Sequence, residues 1–113
     1  MKATLKVLDR IALQTAMNRL THVGYAKFVT ARDVRKKVVL TQEELNEIEA
    51  HDTPDGNMQW NSSKDKGKEF DFTERETNLI SEVLSNLDKT GQLEWGYIPI
   101  YEMFVVKDNT EKQ

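Results

Sequence analysis

Cysteine is absent from the 113-residue chain, proline occurs twice and glycine five times. Without cysteine there is no disulfide scaffold, thiol nucleophile, iron–sulfur cluster or cysteine-ligated zinc. The glycines are isolated from one another, which removes any phosphate-cradling glycine loop. No apolar run approaches the roughly 20 residues that span a bilayer, and the N-terminus lacks the charged-then-apolar layout of a signal peptide. A cytoplasmic protein outside the membrane is expected. The length supports one core, so a single compact domain over residues 1–106 is predicted, with a polar tail at 107–113 that frays.

Charge is present but segregated. Residues 1–38 carry nine Lys/Arg against two Asp, or +7; residues 39–57 carry six acids and no base, or −6; the remainder is −4, for a net charge of −3. A basic third beside an acidic stretch is either an internally compensated surface or a basic face open to a partner.

Periodicity predicts a mainly helical α+β fold with four or five helices and a β-hairpin. Thr4 to Leu8 alternates polar and apolar, then Asp9 is placed to cap a helix over 10–20. Leu13, Met17 and Leu20 form its buried stripe, Arg10, Gln14 and Asn18 turn outward, and Gly24 ends the segment. Thr30 with Asp33 and Thr41 with Glu44 have capping-box spacing, predicting helices over 30–38 and 41–50. Asp52 to Asn57 is a turn by composition. Met58 and Trp60, then Phe70 and Phe72, alternate with polar residues, predicting a hairpin with these four side chains on its inner face. The N-terminal extended segment is available as a third strand. Thr73 and Glu76 open a helix over 74–89 whose stripe is Leu79, Ile80, Val83, Leu84 and Leu87. Pro99 then starts a short helix presenting Ile100, Met103 and Phe104, with a strand as the alternative.

Chemistry-bearing patterns are scarce. His22 and His51 have no second ligand at metal spacing, and Asp52, Asp55 and Asn57 lack the alternation and terminal glutamate of a calcium loop. Ser62 and Ser63 have no nucleophile elbow around them, and acid pairs such as Glu43 and Glu44 or Glu74 and Glu76 fit favourable placement in a first helical turn. No catalytic, cofactor or metal residues are assigned. The constellation that stands out is Arg32, Arg35, Lys36 and Lys37, a cationic cluster able to pin phosphates or an acidic surface. Three helices followed by a hairpin is also the element order of a winged helix. The third helix of such a fold enters the major groove, and here it carries Glu43, Glu44, Glu47 and Glu49, which phosphate would repel.

The segment Leu5 to Leu13, the stretch FVTARDVRKKVVLTQEE, the strand NMQW, FDFTERE and the closing YEMFV resemble short uncharacterised proteins encoded by tailed bacteriophages and prophages. In that family an N-terminal helix, an Arg/Lys-bearing helix, an acidic helix, a Gly-x-x-x-Trp strand and a C-terminal helix pair follow in this order. The chain departs from the pattern at Glu94-Trp95-Gly96-Tyr97. The resemblance implies a viral accessory protein made in a bacterial cytoplasm, and it supplies no catalytic residue. The expected function is therefore non-enzymatic: binding a host or phage protein, inhibition of a host factor being one outcome. The alternative is a winged-helix-like nucleic-acid binder using the basic second helix, with an enzyme as a third and weaker expectation.

Overall fold

The molecule is described by a computed structural model covering residues 1–106, so the tail expected at 107–113 lies outside the described residues. The first strand, β1 (Lys2–Leu5), leads into α1 (Val7–Asn18), α2 (Tyr25–Val38) and α3 (Gln42–Glu47). A two-residue strand pair, β2 (His51–Asp52) and β3 (Met58–Gln59), precedes β4 (Lys68–Asp71) and the long α4 (Glu74–Lys89). A 3₁₀ turn at Trp95–Tyr97 then enters α5 (Ile98–Tyr101), which continues as a π-helical turn over Glu102–Val106. The fold is α+β and mainly helical, with two small antiparallel sheets.

α4 forms as its phase predicts. Leu79, Ile80, Val83, Leu84 and Leu87 are all buried, and the capping box is complete: Thr73 Oγ1 accepts from Glu76 N at 3.1 Å while Glu76 Oε1 accepts from Thr73 N at 2.8 Å. Thr41 and Glu44 build the same box at α3, which stops at Glu47, short of the expected residue 50. There Glu49 takes a left-handed backbone (φ 59°) that no continuing helix permits. Pro99 sits in the first turn of α5, with Ile100 and Phe104 fully buried and Met103 packed against the core.

Several expectations are corrected. α1 starts at Val7 with Lys6 as the N-cap residue in place of Asp9; Asp9 lies in the first turn and caps from the third helical position, accepting from Lys6 N at 3.0 Å. The helix ends before Arg19, and the left-handed residue of the connection is His22 (φ 58°); Gly24 caps the following helix. α2 begins at Tyr25, not at Thr30. The hydroxyl of Thr30 is buried within that helix and donates to Ala26 O at 3.0 Å, so the apparent Thr30–Asp33 box is helix interior.

A further correction concerns strand pairing. Phe70 and Phe72 do not pair with the Met58–Trp60 segment; β4 pairs with β1 in the register Lys2↔Asp71, Ala3↔Phe70, Thr4↔Glu69, Leu5↔Lys68. That aligns Ala3, Leu5 and Phe70 inward, whereas Met58, on the other strand pair, and Trp60, just after it, are only half-buried. Gly67 makes the β1–β4 approach possible. Its φ is 83°, and a Cβ there would stand 3.0 Å from the Thr4 methyl.

One core joins these elements, running from Ala3 and Leu5 through α1, α2 and α4 to Phe104 and Val105. Thr73→Ala is expected to lower stability by about 1 kcal/mol through loss of a cap, read as a shift of the urea midpoint at constant m. Thr30→Ala removes no cap. A loss at Thr30 matching that at Thr73 would contradict the helix start at Tyr25.

Candidate functional site

α2 is held at its beginning by Gly24, whose carbonyl accepts from Lys27 N (3.1 Å) and Phe28 N (3.4 Å). Thr30, Ala31, Val34 and Val38 form its buried side, which packs between α1 and α4. Arg32, Arg35 and Lys36 lie on the opposite side and are exposed. The spacing of i, i+3 and i+4 makes them neighbours on one surface. None of the three makes an ion pair among the described residues.

The fourth cation of the cluster goes elsewhere. Lys37 Nζ donates to Glu76 Oε1 at 2.6 Å and to Asp71 O at 2.9 Å, and it lies 5.4 Å from the centroid of the Phe72 ring. It fastens α2 to the start of α4. Burial alone would raise the Glu76 carboxyl, but the Lys37 ammonium and the Thr73 N–H outweigh it and hold Glu76 below the usual range. Three of the four basic residues picked out from the sequence thus share a free surface, and Lys37 is a structural contact.

The acidic helix is less free than its sequence suggests. Glu44 accepts a bidentate pair from Arg10 at 2.8 and 3.0 Å, with Lys68 at 3.6 Å. The Arg10 hydrogen bond, opposed by burial and helped by the Thr41 N–H, lowers its carboxyl from 4.5 to about 2. Glu49 accepts from Asn61 at 2.8 Å and meets Lys64 at 3.6 Å, and these contacts lower its carboxyl too. Two of the four carboxylates counted against a phosphate ligand are therefore already paired inside the fold.

Arg10 itself reverses an expectation. It is 4% exposed rather than turned outward.

The α2 surface also holds residues that sequence reasoning left out. Because the helix starts at Tyr25, Tyr25 and Phe28 precede Arg32 by seven and four positions and join its face. Tyr25 is 79% exposed and Phe28 44% exposed. The signal available in the sequence was Gly24 as an N-cap, obscured by the stronger-looking threonine at position 30.

The remaining chemistry-bearing residues do not converge. His22 and His51 are exposed, and among the described residues no group of three His, Cys, Asp or Glu side chains could hold a metal ion. Asp55 is occupied in its own turn by the Thr53 hydroxyl and by Asn57. A surface depression of about 770 Å³ between α2 and α4 contains Lys27 and Glu82, paired with each other at 2.7 Å. A second, of about 650 Å³, lies among Leu8, Met58, Trp60, Trp95 and Pro99. No helix among the described residues is long and apolar enough to cross a membrane. Comparison of the chain with protein-family models, with curated proteins and with solved structures gives no match.

Proposed function

We propose that this protein works by binding and not by catalysis, holding an acidic surface of a protein partner on Arg32, Arg35 and Lys36. The observation that carries the reading is that these cations stand together without an ion-pair partner among the described residues on a well-packed helix, while Arg10, Lys27 and Lys37 are committed to Glu44, Glu82 and Glu76. A rigid helix pays little conformational entropy to present them. The resemblance to short phage proteins supports a host or phage protein of the bacterial cytoplasm as partner, with loss of a host protein's activity as the consequence.

The test is charge reversal. Arg32→Glu with Lys36→Glu should leave the circular dichroism spectrum and melting temperature in place, because both side chains are exposed. Proteins retained from bacterial lysate by the immobilised wild type should be lost with the variant, and association with any purified one should slow by about tenfold or more at low salt. Binding to unrelated DNA duplexes, falling steeply with salt and abolished by the same reversal, would overturn the protein reading in favour of nucleic acid.

A further inference from the structure

The exposed side of α2 is more than a basic cluster. Tyr25, Phe28, Arg32, Arg35 and Lys36 fall within an arc of about 100° at 100° per residue, opposite the buried Thr30, Ala31, Val34 and Val38. Two aromatic rings occupy its first turn and three cations its last two turns. The stripe runs along one helix for about 17 Å at 1.5 Å per residue. It has the width and spacing of a helix-packing surface, with side chains at i, i+3, i+7, i+10 and i+11.

Resting on the proposed function above, we infer that the segment of the partner docked here is an amphipathic acidic helix. Its apolar side chains lie on Tyr25 and Phe28, and its carboxylates, one to two turns along, meet Arg32, Arg35 and Lys36. Charge complementarity selects this occupant. Among the described residues no carboxylate pairs with these cations, and arginine forks bind carboxylates in a fixed bidentate geometry. The aromatic end supplies what carboxylates cannot, since tyrosine and phenylalanine bury large apolar area with only two side-chain torsions to freeze. A second copy of this chain fits worse, because a two-fold contact would bring the three cations of each copy into one small interface with no carboxylate between them. A nucleic acid is opposed at longer range by the net charge of −3.

The test uses two synthetic peptides of about 18 residues, long enough for partial helicity. Both contain three glutamates and three leucines in an alanine background. In one, leucines and glutamates share a single helical face in that order; in the other, the same residues are scattered around the helix. The expected result is that the ordered peptide binds the full-length protein at least ~10-fold more tightly, the scale of one well-placed interface contact. Tyr25→Ala with Phe28→Ala should bring it down to the scattered peptide's level, and Arg32→Glu with Lys36→Glu should abolish both. Folding of each variant is checked by its melting temperature.

Equal affinity of the two peptides, or absence of binding by both, overturns the acidic-helix assignment while leaving the lysate capture and its loss on charge reversal intact. Tighter binding of a 20-nucleotide oligo-dT than of the ordered peptide overturns it together with the protein reading. A dimer seen by sedimentation and dissolved by Arg32→Glu overturns it in favour of self-association.

Discussion

Arg10→Met is expected to lower the unfolding free energy by about 3 to 5 kcal/mol, the range for breaking a buried ion pair from one side. The residue is 4% exposed, and its guanidinium makes four hydrogen bonds. Nε donates to Val38 O at 2.9 Å, Nη2 donates to Val39 O at 2.8 Å, and Nη1 and Nη2 together hold Glu44. Val38 and Val39 lie at the end of α2, where carbonyls have no helical donor left. One side chain of α1 thereby satisfies the end of α2 and anchors the start of α3. Methionine keeps the packing against Phe70, whose ring centroid is 5.0 Å from the Arg10 Cζ atom, but leaves two carbonyls without this donor and Glu44 without its guanidinium, with only the Thr41 N–H and Lys68 remaining to it. Breaking the exposed Lys27–Glu82 pair by Lys27→Ala should cost about 0 to 1 kcal/mol in the same denaturant assay. Similar losses at both positions would mean that Arg10 is not a buried latch.

The same pair governs acid sensitivity. The Glu44 carboxyl is lowered from 4.5 to about 2 in the folded protein, so between those values the unfolded chain binds more protons. Stability is present above pH 4.5 and falls as the pH drops toward 2. The contribution is up to about 3 kcal/mol, taking 1.4 kcal/mol per pKa unit. Glu76 declines in the acid range with the same sign. Glu44→Gln should flatten the stability profile between pH 4.5 and 2 relative to the wild type, measured by urea melts at several pH values. An unchanged slope would contradict the charged pairing of Glu44 with Arg10.

Phe72→Ala is the second large effect, at about 3 to 5 kcal/mol for a buried aromatic truncated in a packed core. Phe72 is 1% exposed; its ring centroid lies 5.5 Å from that of Phe104, edge-on, and 6.1 Å from that of Phe70. It joins the β1–β4 sheet to the C-terminal π-helical turn and also underlies the Lys37 ammonium. Truncation therefore opens a cavity and loosens the Lys37–Glu76 contact. Phe72→Leu, which retains most of the volume, should cost about 1.5 kcal/mol or less. Equal losses from alanine and leucine would show that the site is not tightly packed.

The elements read correctly from the sequence are those whose signals are local and agree with each other. In α4 the capping pair, the apolar stripe and the closing Gly91 coincide, and Gly91 takes the left-handed backbone (φ 69°) expected of it. Where a pattern is met by chance, the reading fails. Thr30 and Asp33 have the spacing of a box, but Tyr25 to Val29 already belong to the helix, and interior position overrides the cap signal. Alternation marks Met58–Trp60 and Phe70–Phe72 as extended without naming their partners, since register between distant strands is fixed by the core as a whole. Arg10 shows another limit. At three and seven residues before Leu13 and Met17 it lies on the apolar stripe, and its charge alone sends it outward; only the free carbonyls at the end of α2 and the carboxylate of Glu44 make burial affordable. The cations of the candidate surface were legible as a cluster. Its aromatic half was not, because it depended on where α2 begins.

Synthesis of the chain on the ribosome gives the β1–β4 pairing a further consequence. The partner of β1 lies beyond three helices and a second strand pair, and translation proceeds at about 5 to 20 residues per second. β1 therefore waits on the order of seconds before residues 68–71 exist to complete it. Through that interval Ala3 and Leu5, destined for the core, have no sheet to join, and an unpaired edge of this kind invites pairing with another nascent chain. Lys2 and Lys6 bracket the apolar pair. Positive charges flanking a short strand disfavour its self-association, so the two lysines act as gatekeepers during the delay as well as exposed residues of the finished fold.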